Sequence, residues 1–174
     1  MKWSAAPVAD VPVGVITVMS TIPAAPAGAV ATIAVSEMNV YELAAVVPKF
    51  IAAMGSGRPP LVHGDGTQSR DFSYVSNVVE ANLLAAGAEK VGGEVFNVAC
   101  GQRASLLDLV ACLNRILGTS IEPNFGPPRP GDVKHSMADI GHARSLLGYE
   151  PRVLFEEGLA RTVAWYRRAG SRPS

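Results

Sequence analysis

The sequence predicts a small α/β domain of α+β character, built from short strands and about four to five helices. Three observations predict this class. Short β-branched and apolar runs are bounded by glycine and proline, apolar residues recur at helical spacing in the second half of the chain, and helix-capping residues stand where those stripes begin. With 174 residues, 48% of them hydrophobic, the chain can bury one core but is short for two domains.

From residue 44 onward the local patterns predict the elements in order. Pro48 fits the first turn of a helix that runs to about Met54 and ends at Gly55. Short strands are predicted at Leu61–His63 and at residues 71–74, on either side of a glycine-rich bend.

Serine residues mark the predicted starts of the next helices. Ser76 is predicted to cap a helix that continues through Ala86, and a strand follows at residues 95–99. Ser105, with Asp108 three residues later, approximates a capping box. The helix behind it has one apolar stripe, made of Leu106, Leu109, Val110, Leu113 and Leu117.

The last third of the chain predicts two more helices. The first opens at Ser136 or Asp139 and ends at Leu147. In the second, acidic residues at the start and basic residues at the end complement the helix dipole: Glu156, Glu157, Arg167 and Arg168. The apolar stripe of this second helix consists of Phe155, Leu159, Val163 and Tyr166. Trp165 and Tyr166 are therefore predicted to anchor the core.

Residues 1–43 are predicted to be an atypical apolar segment, rich in Ala, Pro and Gly and poorly ordered. Residues 11–36 contain no charged residue, a run long enough to span a bilayer or, behind Lys2, to form a signal peptide. The three prolines of that run would interrupt helix hydrogen bonding and argue against both membrane interpretations. A further interpretation makes residues 13–19 a buried parallel strand.

Composition and spacing exclude several classes of function. A net charge of zero provides no basic field for nucleic acid or an anionic membrane. Cys100 and Cys112 are too far apart for a Cys-x-x-Cys motif, and Cys112 falls on the apolar side of a predicted helix, where a small core residue is expected. His63, His135 and His142 form no metal-ligand cluster with them. A reduced, cytoplasmic protein is expected.

Two runs carry the chemistry: Gly64-Asp-Gly-Thr-Gln-Ser-Arg-Asp-Phe-Ser-Tyr-Val75 and Arg129-Pro-Gly-Asp-Val-Lys-His-Ser-Met-Ala-Asp139. Each places an arginine beside a glycine-rich bend and an aspartate. A planar guanidinium can donate two parallel hydrogen bonds, so Arg70 and Arg129 together could clamp a diphosphate, with Asp132 accepting from ribose hydroxyls. The alternative is structural: an ordinary tight turn, with Asp71 pairing with Arg70 at a surface.

In this order, several runs resemble one family. They are Ala44-Ala-Val-Val-Pro-Lys-Phe50, Leu61-Val-His63 with the first of the two runs above, Val95-Phe-Asn-Val-Ala99, Arg129-Pro-Gly-Asp-Val-Lys-His-Ser136, Leu146-Leu-Gly-Tyr149 and Trp165-Tyr166. Residues 44–169 resemble the C-terminal, substrate-binding part of the extended short-chain dehydrogenases, the NAD-dependent epimerase/dehydratase family. Within it they are most similar to the UDP-glucose and UDP-N-acetylglucosamine 4-epimerases. The implied division is a nucleotide-sugar-binding domain at residues 44–170 and a tail at 171–174.

The resemblance implies a set of substrate-binding residues. Arg70 and Arg129 correspond to the diphosphate ligands and Asp132 to the ribose contact. Lys134 stands where many relatives have arginine, a change that retains the charge but loses the bidentate geometry. The residues that wall, flank or cover the nucleotide are Ala45, Val46, Phe50, Leu61, His63 and Leu106.

The resemblance also implies that NAD binding and catalysis depend on a different part of the intact enzymes. In intact relatives an N-terminal Rossmann domain holds NAD and carries a Tyr-x-x-x-Lys pair. Neither motif is found here, because Ser69 stands where a third glycine would follow Gly64 and Gly66. Four residues after the four tyrosines stand Ala45, Val78, Val153 and Gly170. No complete Rossmann domain, no cofactor held by this chain and no catalytic residue are therefore expected.

The expectation is a truncated chain in which unrelated sequence replaces the first half: the UDP-sugar-binding portion of a 4-epimerase, inactive alone. It would bind a UDP-sugar weakly, without the family dimer interface, and a separate Rossmann-domain chain could complete it. The alternatives are a fragment of a dehydratase or decarboxylase and a non-enzymatic nucleotide-sugar-binding module. The run from Arg129 to Ser136 favours the epimerase over the decarboxylase.

Overall fold

The computed structural model describes residues 20–23, 30–34, 46–89 and 91–170. These ranges contain five helices: α1 (Val46–Gly55), α2 (Val75–Gly87), α3 (Leu106–Leu117), α4 (Gly141–Leu147) and α5 (Phe155–Gly170). They also contain seven short strands: β1 (Ser20–Pro23), β2 (Val30–Ala34), β3 (Leu61–His63), β4 (Ser69–Arg70), β5 (Val95–Asn97), β6 (Ala104–Ser105) and β7 (Asn124–Gly126). The mixed fold with short strands confirms the predicted class.

The described strands form three small sheets. One has the order β1-β2-β5, in which β1 is antiparallel and β5 parallel to β2, with Ile33 opposite Phe96. In the second, β3 and β7 are parallel, and in the third, β4 and β6 are antiparallel. β6 runs directly into α3, so the β4–β6 pair fixes where that helix begins.

Two apolar clusters hold these elements together. The α2–α4 cluster packs α2 and α4 with β5, and its largest fully buried side chains are Phe96 and Tyr149. The α1–α3–α5 cluster packs those three helices with β3, and its members with the least exposure are Met54, Val62, Leu109, Leu113 and Val163. Cys112 is 2% exposed within the second cluster, which confirms its predicted place in the core.

The predicted capping box starts α3. The Ser105 hydroxyl oxygen accepts from Asp108 N at 3.0 Å, and the Asp108 carboxylate accepts from Ser105 N at 2.8 Å. Hydrogen bonds from Ser105 lower the pKa of Asp108. Of the predicted stripe, four residues are buried and Leu117 is half-buried: Leu106, Leu109, Val110 and Leu113.

Two predictions around α2 are wrong. Ser76 does not cap the helix, because α2 begins one residue earlier, at Val75, after an extended Tyr74. The strand predicted at residues 71–74 lies earlier, at Ser69–Arg70. The chain leaves the strand there because the buried Asp71 carboxylate accepts from Cys100 N at 3.0 Å and Gly101 N at 2.9 Å.

The strand predicted at residues 95–99 is shorter, at Val95–Asn97, and α4 begins at Gly141. Of the two predicted openings for that helix, Asp139 is supported, because its carboxylate accepts from Gly141 N at 2.8 Å.

The prediction that Trp165 and Tyr166 anchor the core is wrong, since they are 57% and 37% exposed. Helix α5 faces the core through Leu159 and Val163, one turn apart. Trp165 follows Val163 by two positions, about 200° around the helix, so its ring points away from the core.

Most of residues 1–43, including the strand predicted at 13–19, lies outside the described residues. The poor order predicted for this segment stays a prediction, although Val30–Ala34 pairs with β5. Within the described ranges, no helix combines the length and the hydropathy needed to cross a bilayer.

Candidate functional site

A cavity of about 480 Å³ lies between α1, β3, the start of α3 and the loop after β7. Seven of the residues predicted to bind substrate line it: Val46, Phe50, Leu61, His63, Leu106, Arg129 and Asp132. The structure thus brings together residues from four separate parts of the chain. Ala45, also predicted, lies outside the described residues.

The apolar wall of the cavity is part of the core. Phe50 and Leu106 are 2% and 5% exposed and belong to the α1–α3–α5 cluster. Leu61, at the edge of the cavity, is 54% exposed. The wall is therefore rigid at its base and open to water at its rim, a surface suited to one face of a flat ring.

The polar end of the cavity comes from the loop after β7. Half-buried Arg129 and exposed Asp132 stand at the two ends of a tight turn, with Asp132 N donating to Arg129 O at 3.3 Å. Gly131, with φ of 81°, gives the turn a left-handed backbone that other residues rarely adopt.

Arg70 lies behind this end, and it is not among the cavity's lining residues. Its side chain is buried, and Nη2 donates to Asp132 Oδ1 at 2.5 Å. Nη1 donates to the carbonyl of Ser69 at 2.8 Å and reaches that of Lys134 at 3.4 Å. The predicted clamp of a diphosphate between Arg70 and Arg129 stays a prediction, and the alternative pairing of Arg70 with Asp71 is wrong.

His63 is held by two neighbours. Its Nδ1 hydrogen-bonds to Pro127 O at 3.2 Å, and because a carbonyl can only accept, Nδ1 carries the proton. In the neutral ring Nε2 is then an acceptor. Gln68 Nε2 donates to the His63 carbonyl at 2.6 Å. The Gln68 residue lines the cavity and is 6% exposed.

Lys134 has a structural partner. Its ammonium donates to both carboxylate oxygens of Asp65, at 2.9 and 2.7 Å. Hydrogen bonds from Lys134, and then from Thr67, hold the pKa of Asp65 well below its usual range. Residues 134–136 are also joined to β4, since Ser69 N donates to Lys134 O at 2.9 Å and Ser136 N donates to Ser69 O at 3.1 Å. These contacts fix the loop against the glycine-rich bend.

Sequence reasoning missed three polar residues of the cavity: Gln68, Lys49 and Arg58. Gln68 and Lys49 lie inside runs that carry the family resemblance, and that position was the signal that could have identified them. Arg58 reaches the cavity only through the turn after α1. Among the described residues that line the cavity, three cations face the single carboxylate of Asp132. The site is thus suited to an anion that carries an apolar ring.

Groups of three or more potential metal ligands do not occur within the described ranges. A dinucleotide needs a glycine-rich turn between a strand and a helix N-terminus, where the backbone approaches the pyrophosphate. In this part of the chain β6 passes directly into α3 without such a turn, and α2 follows the extended Tyr74. The described residues therefore do not fit the pyrophosphate of NAD.

Comparisons with known proteins agree with this geometry. Residues 30–99 match the model of the NAD dependent epimerase/dehydratase family, so the match includes β2 and begins before the resemblance seen in the sequence. The chain is 40% identical to the UDP-glucose 4-epimerase of Mycolicibacterium smegmatis over 124 residues. This match covers 71% of this chain and 39% of that protein.

Solved structures give the same result. The UDP-glucose 4-epimerase of Thermotoga maritima, with UDP-glucose, is 38% identical with a TM-score of 0.69, over 80% of this chain and 44% of that one. The UDP-N-acetylglucosamine 4-epimerase of Methanobrevibacter ruminantium, in complex with UDP-N-acetylmuramic acid, is 39% identical with a TM-score of 0.67, over 74% and 41%.

The chain spans about two fifths of the length of these relatives, 39% to 44%. Within that span, the sequence match, the structural likeness and the arrangement of the cavity agree, and the chain belongs to the NAD dependent epimerase/dehydratase family.

Proposed function

We propose that this chain is the UDP-sugar-binding portion of a nucleotide-sugar 4-epimerase. One observation carries the proposal: an apolar wall and the Arg129–Asp132 turn meet in a single cavity. Its volume lies within the range of about 300–1,000 Å³ that small-molecule sites occupy. The two 4-epimerase structures described above, both with UDP-sugars, support the same ligand class.

The parts of such a ligand match the parts of the cavity. The uracil ring would lie on Phe50 and Leu106, where a flat ring can replace water on apolar surface. The diphosphate would lie at Arg129, whose planar guanidinium can donate two hydrogen bonds to it. Asp132 bonds Arg70 through Oδ1, and its second carboxylate oxygen can accept from a ribose hydroxyl.

Binding would be weak. The rim at Leu61 is open to water, so the ordering costs of association are poorly offset and charged contacts are screened. We expect a dissociation constant on the order of millimolar, near 4 kcal/mol of binding free energy.

The described residues bind and orient a ligand, and they provide no Tyr-x-x-x-Lys pair for proton transfer. The chemistry of epimerisation would then depend on a partner, and we propose a separate chain with a Rossmann domain, in the reduced cytoplasm. The purified 174-residue chain should therefore not interconvert UDP-glucose and UDP-galactose, even with added NAD. Turnover by the purified chain would contradict this.

Amide NMR during a titration with UDP tests the binding proposal. Shifts should concentrate at Val46, Phe50 and Leu61, and Arg129→Ala should abolish them. Arg115→Ala is the matched control, because Arg115 pairs with Glu156 on the surface, away from the cavity. A titration that left the amides of the cavity unchanged would refute the proposal, as would shifts that were equal in the Arg129→Ala chain.

A further inference from the structure

Gln68 is a buried polar side chain at the point where the glycine-rich bend passes into β4. The residue is 6% exposed and lines the cavity. Its Nε2 donates to the carbonyl of His63, the last residue of β3, at 2.6 Å. Burying an amide without a hydrogen bond is costly, so this bond allows a polar side chain to occupy the position.

The backbone of the same bend is bonded to a second element of the cavity. The carbonyl of Gln68 accepts from Leu106 N at 3.2 Å, and the carbonyl of Gly66 accepts from Leu107 N, also at 3.2 Å. Leu106 is the first residue of α3. The bend is therefore joined to the start of α3 through its backbone and to the end of β3 through the Gln68 side chain.

Two walls of the cavity are connected at this residue. The β3 wall consists of Leu61 and His63, and the α3 wall consists of Leu106. Among the described strands, β3 pairs with β7, whereas β6, which leads into α3, pairs with β4. The ladder of neither sheet therefore sets the distance between the walls. Val62 packs in the same apolar cluster as Leu106, but apolar contact is not directional. The Gln68 bonds are directional and link both walls.

The separation of the walls matters for a flat ligand. A gap of about 0.5–1 Å between a ring and its wall forfeits about a quarter to a half of the dispersion attraction at that contact. A ligand with a dissociation constant on the order of millimolar has little affinity to lose. A side chain that fixes the walls can therefore affect binding without contact to the ligand.

We infer that Gln68 is a positioning residue: its side chain holds the β3 wall at a fixed distance from the α3 wall, and it does not itself bind the ligand. The inference rests on the proposed function, since it concerns the same cavity. It assigns a role to a residue that the family resemblance did not include among the substrate contacts.

Gln68→Met tests the inference, because methionine has a similar length and volume but cannot donate to the His63 carbonyl. We expect the dissociation constant for UDP to rise about tenfold, the effect of one lost hydrogen bond. In the ligand-free variant, the backbone amide resonances of His63 and Leu106 should move, since the walls shift. Gln102→Met is the matched control. Gln102 is exposed in the segment between β5 and β6 and does not line the cavity, so UDP affinity should stay unchanged.

The outcomes separate this inference from the proposed function. A folded Gln68→Met chain that bound UDP as tightly as the unaltered chain would overturn the inference and leave the proposed function standing. An unaltered chain that did not bind UDP would refute the proposed function, and this inference with it.

A measurement on the unaltered chain covers the case in which Gln68→Met does not fold. By NMR, the side-chain amide protons of Gln68 should exchange with solvent more slowly than those of exposed Gln102, because Nε2 is buried and bonded to His63 O. This exchange should stay slow when UDP is added, while the backbone amides of Val46 and Phe50 shift. Fast exchange in the free chain would show that no fixed bond joins Gln68 to β3. Slow exchange that was lost on binding would show that the side chain turns to the ligand. Either result would overturn the inference.

Discussion

The two apolar clusters are stabilised in different ways. Hydrogen bonds fix the α2–α4 cluster. The buried Tyr149 hydroxyl donates to Ala99 O at 2.9 Å, and Asn77 of helix α2 donates to Val153 O in the segment before α5. The α1–α3–α5 cluster is made of apolar side chains and Cys112, and it borders the cavity. The difference teaches that the candidate site rests on the part of the core that depends on shape, while hydrogen bonds specify the part remote from the ligand.

The largest expected effect is on the hydrogen-bonded side. Asn77 is 1% exposed, donates to Val153 O at 2.7 Å, and accepts from the backbone N–H groups of Arg152 and Val153 at 3.2 and 3.0 Å. Asn77→Ala leaves the N–H groups of Arg152 and Val153 without this acceptor, and Val153 O keeps only the weak Cys100 thiol donor at 3.8 Å. We expect a loss of about 4 kcal/mol in the free energy of unfolding. Urea denaturation measures it.

Asn82→Ala on the same helix is the control. The Asn82 amide donates only to Val78 O one turn earlier, so this change should cost under about 1 kcal/mol. Equal losses for Asn77→Ala and Asn82→Ala would show that directional bonds do not distinguish the α2–α4 side.

On the packed side, Leu109→Ala is expected to cost about 3 kcal/mol. Leu109 is 0% exposed at the centre of the α1–α3–α5 cluster, and its truncation leaves a cavity. Leu107→Ala, two residues earlier on α3 and 38% exposed, should cost about 1 kcal/mol or less. Thermal or chemical denaturation that placed both variants at the same stability would contradict the assigned orientation of α3.

Tyr149→Phe should cost about 1.5 kcal/mol near neutral pH, because Ala99 O loses its donor. Burial raises the pKa of Tyr149 above its usual value. The folded pKa lies above the unfolded pKa, so this contribution is complete below the unfolded pKa of about 10 and is lost as the pH rises past it. Unfolding measured between pH 7 and pH 10.5 should show the wild type approaching the Phe variant; a constant difference would argue against a buried hydroxyl.

The smallest effect concerns the two serines predicted as caps. Ser105→Ala should cost about 1 kcal/mol, whereas Ser76→Ala should change stability by less than about 0.5 kcal/mol. The pKa of Asp108 is lowered in the folded chain, so its contribution is present above its unfolded pKa of about 3.9 and fades as the pH falls below it. The gap between wild type and Ser105→Ala should therefore narrow in acid. A larger cost at Ser76 would restore the cap predicted there.

These serines show how far the sequence could predict the fold. The capping box of α3 joins Ser105 and Asp108, three residues apart, and local pattern was enough to place the start of that helix. The start of α2 depends on Asn77, whose partners lie about 75 positions later in the chain, and on Asp71, which binds the backbone at Cys100. Local pattern holds no record of such distant partners, so Ser76 was misread as a cap.

The same reasoning applies to the site. Seven of the residues that line the cavity were predicted by resemblance, because the family's runs preserve their order along the chain. The burial of Arg70 and its bond to Asp132 were not predicted, since a motif gives residue types and spacing without the direction of a side chain. Arg58 was missed because only the path of the chain after α1 brings it to the cavity.

Phe50 and Leu106 serve both as the base of the cavity and as members of the core. A ligand seated on them would be bound by the folded chain and released by the unfolded one, so binding and unfolding draw on the same equilibrium. A ligand present at its dissociation constant adds about 0.4 kcal/mol to the free energy of unfolding, and more as its concentration rises. The supply of nucleotide sugar in the cell would then influence how long the chain survives proteolysis, even where it catalyses no reaction.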